Sequence, residues 1–154
     1  MLQDQLLETW AIHNRINLFL LDAVAAEALD APVTRGRTVG EQFAHMHNVR
    51  VMWLQASAPD LVEGLDKVDK DGAADRTALR SALEASGRAI GKLLERSLEP
   101  GGKVKGFKPH GVAFIAYLIS HDAYHRGEIG LILTQIGHPL DKSSSYGLWE
   151  WGTK

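Results

Sequence analysis

Two histidines four positions apart, His121 and His125 in the segment Ser120-His-Asp-Ala-Tyr-His-Arg-Gly-Glu128, are the residues of this chain best suited to chemistry. On a helix such a pair projects from one side, so two ring nitrogens can meet a single ion. At about 100° per residue the pair shares a face with Phe114, Leu118, Ile129, Ile132 and Ile136, which aims both rings at an apolar interior. Buried neutral imidazoles need partners, and a metal ion satisfies both through their lone pairs. Ordinary hydrogen bonding is the competing reading.

A second histidine segment runs from Phe43 through His45 and His47 to Trp53. His45 falls on an arc with Val49, Met52, Trp53 and Ala56, whereas His47 shares the opposite side with Arg50 and Leu54. This grouping favours His45 as the inward residue and keeps His47 as the alternative. One histidine from here and two from the later pair make a three-nitrogen site with a coordination position left open, an arrangement suited to chemistry rather than to structure. A core histidine donating to a backbone carbonyl is the competing reading for His45.

The chain has no cysteine, so any metal must be held by nitrogen or oxygen and no protein thiol can act as nucleophile. It also lacks HExxH, so no glutamate is built into the motif as a general base. Glu128 reads as a solvated helix residue rather than as support for His125. Arg126 reads as a surface ion-pair partner rather than an anion anchor. His13 and Asn17 lie on an apolar arc and read as a hydrogen-bonded core pair before they read as pocket lining. Lys103, Lys105 and Lys108 form a basic loop of solvated charge.

The elements that must position these residues are helices. Leu6, Trp10, Ile16, Leu20, Leu21 and Val24 recur at helical spacing and predict a first helix from about Asp4 to Ala28. Thr38-Val-Gly-Glu41 is a capping-box pattern that opens a second helix to about Ala56. The stretch Glu63 to Gly72 reads as a connection with one short helical turn. Leu79, Leu83, Ile90, Leu93, Leu94 and Leu98 mark a third helix over Asp75 to Leu98, broken by Pro100-Gly-Gly102. Pro109 is placed in the first turn of a fourth helix that continues to Ile136 and stops at Gly137-His-Pro139. The aromatic stretch Tyr146 to Trp151 is expected to pack on the rest. These patterns predict an all-α fold, a four-helix bundle with a longer connection between its second and third helices, in a single domain over residues 1–154.

Composition agrees with this. A chain of 154 residues can bury roughly two-thirds of the surface it exposes when unfolded. A formal net charge of −2, without a long Lys/Arg run, gives no footprint for nucleic acid. No apolar run approaches the roughly 20 residues that span a bilayer, and the first residues lack a basic targeting pattern. The expected setting is cytoplasmic, with no membrane or nucleic-acid partner.

His121-Asp-Ala-Tyr-His125-Arg-Gly-Glu-Ile129, followed by Leu131-Ile-Leu-Thr-Gln-Ile-Gly137, resembles the C-terminal signature of the DinB/YfiT-like superfamily, in which HxxxHRGxI precedes a helix ending in Gly. His45-Met-His-Asn48, with Trp53 eight positions beyond His45, resembles that superfamily's first metal-binding segment. The resemblance follows the element order of essentially the whole chain. It implies a four-helix bundle whose histidine triad, carried onto His45, His121 and His125, binds zinc, nickel or a similar divalent ion, often in a homodimer. The doubled His45/His47 departs from the family's single-histidine pattern. Members with known activity use the metal with low-molecular-weight thiols, as in bacillithiol transferases and mycothiol-dependent isomerases. The resemblance therefore implies a metal-dependent thiol S-transferase whose small-molecule cosubstrate brings the sulfur. A metal-dependent hydrolase of the YfiT-like type and a non-catalytic stress-response or binding bundle are the alternatives.

Overall fold

Side-chain acceptors open five of the six α-helices, because the first backbone N–H groups of a helix have no partner within it. Thr38, Asp69, Asp75, His110 and Asp141 each accept from a backbone N–H one turn on. In the computed structural model, which describes residues 1–154, the helices are α1 (Leu2–Ala23), α2 (Val39–Ser57), α3 (Lys70–Ala73), α4 (Arg76–Leu98), α5 (Gly111–Gln135) and α6 (Lys142–Gly147). Short 3-10 turns cover Ala26–Ala28, Pro59–Leu61 and Trp151–Thr153. The fold is all-helical, without a strand. Among the four long helices, α1 and α2 each pack on both α4 and α5, and α4 packs on α5.

The Thr38 capping box forms as its sequence predicts: Glu41 N donates to Thr38 Oγ1 at 3.2 Å and Thr38 N to Glu41 Oε2 at 2.9 Å. At the far end of α5, Gly137 adopts φ +82°, and His138 N reaches back to Leu133 O at 2.9 Å to close the helix. Two boundaries differ from expectation. The first helix ends at Ala23 rather than Ala28, because Val24 turns extended and the following 3-10 turn carries Ala28 and Leu29 into the core. Pro109 lies outside α5; His110 is the cap, its Nδ1 accepting from Ala113 N at 3.3 Å. The aromatic C-terminal stretch packs through Gly147, set against the Phe19 ring, and through Leu148, while Trp149 stays 81% exposed.

Two apolar clusters make the core. One gathers Leu20, Leu21, Phe43, Met46, Leu83, Ile129 and Leu133; the other gathers Trp10, Val51, Leu54, Ile90, Phe114 and Leu118. Between them lies a layer of buried polar side chains: His13 and Asn17 of α1, Arg50 of α2, Ser86 of α4 and Asp122 of α5. The start of α2 is held close to α3: Gly40 N donates to Leu29 O at 2.8 Å, and a Cβ at Gly40 would stand 1.8 Å from Ala73 O. No helix is long and apolar enough to cross a membrane.

Candidate metal centre

One turn of α5 separates His121 from His125, and α2 brings His45 against both. Ring centroids stand 4.6 Å apart for His121 and His125, 4.7 Å for His45 and His125, and 5.3 Å for His45 and His121. One ring nitrogen of each lies within 4.8 Å of one ring nitrogen of the others. His125 is buried, whereas His45 and His121 are half-buried at the edge of the helix packing.

The expected phase of both helices needs correcting. The inward face of α2 carries Phe43, His47, Arg50 and Leu54, while the arc of His45 includes Met52, which is 47% exposed. His47 is the core histidine that donates to a backbone carbonyl: Nε2 meets Asp66 O at 2.8 Å, and its Nδ1 has no partner. On α5 the inward line runs Phe114, Leu118, Asp122, His125, Ile129 and Leu133. His121 therefore sits beside the interior, and Asp122 occupies it.

Burial, then the charge of Arg37 and the neighbouring His125 and His121, hold the His45 imidazole at about 4 against an ordinary 6.5. Burial, then His121, also lowers His125. Neutral rings keep their lone pairs at neutral pH. The Nδ1 of His125 faces Gln42 Oε1 at 2.6 Å and Glu128 Oε2 at 3.3 Å, so that nitrogen carries the proton and Nε2 offers the lone pair. Glu128 thus supports His125 instead of being a plain solvated residue. The Nδ1 of His121 faces Asp122 Oδ1 at 3.3 Å, a carboxylate that orients the ring in the same sense. Three imidazoles, two of them oriented from behind and none with a competing thiolate, are a donor set that could hold a divalent ion.

Behind His121 lies the polar layer. Asp122 Oδ2 accepts from Arg50 Nη2 at 2.8 Å, His13 Nε2 at 2.9 Å and Asn17 Nδ2 at 3.0 Å. Burial pushes the Asp122 carboxyl up, but the Arg50 charge and the hydrogen bonds from His121 and His13 together hold it well below the ordinary carboxylate range. Arg126 is no surface partner: its Nη1 donates to Asn17 Oδ1 at 2.6 Å and to His13 Nδ1 at 3.2 Å. That contact assigns the His13 proton to Nε2, where it faces Asp122. His13 and Asn17 are thus the hydrogen-bonded core pair and do not line a pocket.

Asp122, Arg50 and Gln42 do not stand out in the sequence as site residues. Their signal is phase: Asp122 continues the apolar line of α5, and Arg50 that of α2, with opposite charges. Beside His45 opens a cavity of about 320 Å³, reaching from His45 and Asn48 to Arg37, Glu41, Asp69 and Lys70.

Comparison with curated proteins and with solved structures finds no match. The family model described as the DinB family matches residues 1–149, which includes both histidine segments and all four long helices, and the chain therefore belongs to the DinB family.

Proposed function

We propose that this protein is a divalent-metal enzyme of the thiol S-transferase kind, with His45, His121 and His125 as the ligands and zinc or nickel as the ion. The observation that carries the reading is the open trio of imidazoles in a chain without cysteine. When bound, such an ion lowers the pKa of a thiol or water at its free position and so supplies a nucleophile at neutral pH. The chain's own residues hold and orient. Gln42 and Glu128 fix the Nδ1 proton of His125, and Asp122 turns His121 toward the other two rings.

These same contacts favour a thiol over water as the group activated. The two carboxylates against the trio, Asp122 and Glu128, both face Nδ1 atoms on the outer side of the rings. Neither is placed as a general base for water, whereas a thiol, with an ordinary pKa near 8.5, surrenders its proton more easily. A homodimer belongs to the same proposal. It is supported by Tyr117, Tyr124 and Leu131, spaced seven apart and exposed along one side of α5.

The test begins with untagged protein, which is expected to carry about one divalent ion per chain by elemental analysis. In the cobalt-substituted protein, a low-molecular-weight thiol should produce a sulfur-to-cobalt charge-transfer band that the His121→Ala protein lacks. Because the chain has no cysteine, that band reports the added thiol. Metal-dependent hydrolysis of an ester or lactone with no band from any thiol would replace this reading with the hydrolase.

A further inference from the structure

We propose that the cavity beside His45 is a carboxylate subsite, in which Arg37 and Lys70 hold an acidic group of the thiol cosubstrate while its sulfur lies at the three histidines. The inference rests on the thiol reading above and adds the chemical class of the cosubstrate. His45 is part of the cavity's lining, so a molecule filling the cavity touches one member of the histidine trio and lies next to the other two. A volume of about 320 Å³ suits one small organic molecule.

The walls of this cavity are fixed. Asn48 clamps the backbone of Val68 from both ends of its amide, with Nδ2 to Val68 O at 3.0 Å and Val68 N to Oδ1 at 2.8 Å. His47 holds Asp66 O on the same stretch of chain. The hydrogen-bonding capacity of the lining is thus largely spent within the fold.

Its charges are spent unequally. Glu41 Oε2 accepts from Thr38 N at 2.9 Å and Asp69 Oδ1 from Gly72 N at 2.8 Å, each at the start of a helix, where backbone N–H groups offset a negative charge. Arg37 and Lys70 are exposed and form no ion pair or side-chain hydrogen bond, unlike Arg80 with Asp22 or Arg96 with Asp60. Two cations are therefore left for a ligand. Arg37 and His45 line the same cavity, which sets this cation beside the trio. The two carboxylates in the same lining oppose a dianion such as phosphate, so a singly charged carboxylate fits best.

The test uses the cobalt-loaded protein and thiols matched in length: 3-mercaptopropionate against 3-mercapto-1-propanol, and 6-mercaptohexanoate against 6-mercapto-1-hexanol. Titration of the charge-transfer band is expected to show about five- to tenfold tighter binding of the acid at one length or both, as two partly exposed ion pairs would give. The preference should shrink as salt is raised. In the Arg37→Ala/Lys70→Ala protein, the acid's affinity should fall to that of the alcohol. Equal affinity for acid and alcohol at both lengths overturns the subsite while the band keeps the thiol reading. A preference that survives the double substitution overturns it as well. If no thiol gives a band, the thiol reading fails, and an NMR titration of the metal-free protein with butyrate decides the subsite alone. Shifts at Arg37, Lys70 and His45 that butyramide does not cause support it, and their absence overturns it.

Discussion

A protonated imidazole cannot be a ligand, so the burial and positive charge that keep His45 neutral down to about 4 matter as much as its position. His45 and His47 separate two roles that a single segment offers. His45→Ala is expected to abolish metal loading, read by elemental analysis after dialysis. His47→Ala should keep the metal but lose about 1–3 kcal/mol of stability in urea unfolding, because Asp66 O and the emptied site are left without a partner. Loss of metal in the His47 variant alone would move the ligand to that residue. His121 and His125 were legible in the sequence because one helical turn relates them. The Asp122 network was not, since its partners Arg50 and His13 lie 72 and 109 positions away and only the packed helices bring them together. His45 joined the trio from the edge of α2 rather than from its inward face, because that helix carries apolar residues on both sides and its phase cannot be read from periodicity alone.

At the level of elements, local chemistry was the legible part. The Thr38 and Gly137 signals mark the start of α2 and the end of α5 because each acts within one turn of its own helix. The early end of α1 was hidden, since Val24, Ala28 and Leu29 leave the helix to fill a core that the sequence does not display. Two glycines give an opposed pair of expectations. At Gly40 a methyl group would meet three backbone atoms within about 3 Å, among them Ala73 O at 1.8 Å and Leu29 O at 3.0 Å. Gly40→Ala should therefore cost about 1–3 kcal/mol or more and disturb the junction of α2 with α3. A Cβ at Gly130, within α5, meets nothing within 4 Å, so Gly130→Ala should add about 0.5–1 kcal/mol through helix propensity. Denaturant midpoints of the two variants on opposite sides of the parent check both. A neutral Gly40→Ala would mean that α2 and α3 are not held so closely.

For the whole molecule, histidines set the acid limit. His13, His45, His47 and His125 are all held below the ordinary 6.5, in each case with burial as the largest cause. As pH falls below about 6.5 the unfolded chain takes up protons that the fold refuses, so stability is fully present above that value and declines toward the folded values, about 4 for His45. The melting temperature of chelator-treated protein is expected to drop steadily between pH 6.5 and 4, and a flat profile there would show that these rings protonate freely in the fold. The polar layer has one more consequence, which concerns sliding. Leucine against leucine tolerates a small axial slip between helices, whereas moving α5 along α2 by one turn, about 5.4 Å, would part Asp122 from Arg50, His13 and Asn17 at once and strand buried charge among apolar side chains. Asp122 therefore works as a bolt across α1, α2 and α5. His121 is the next residue and His125 lies one turn on, so the bolt sets their height relative to His45, and an ion held there would call for little rearrangement.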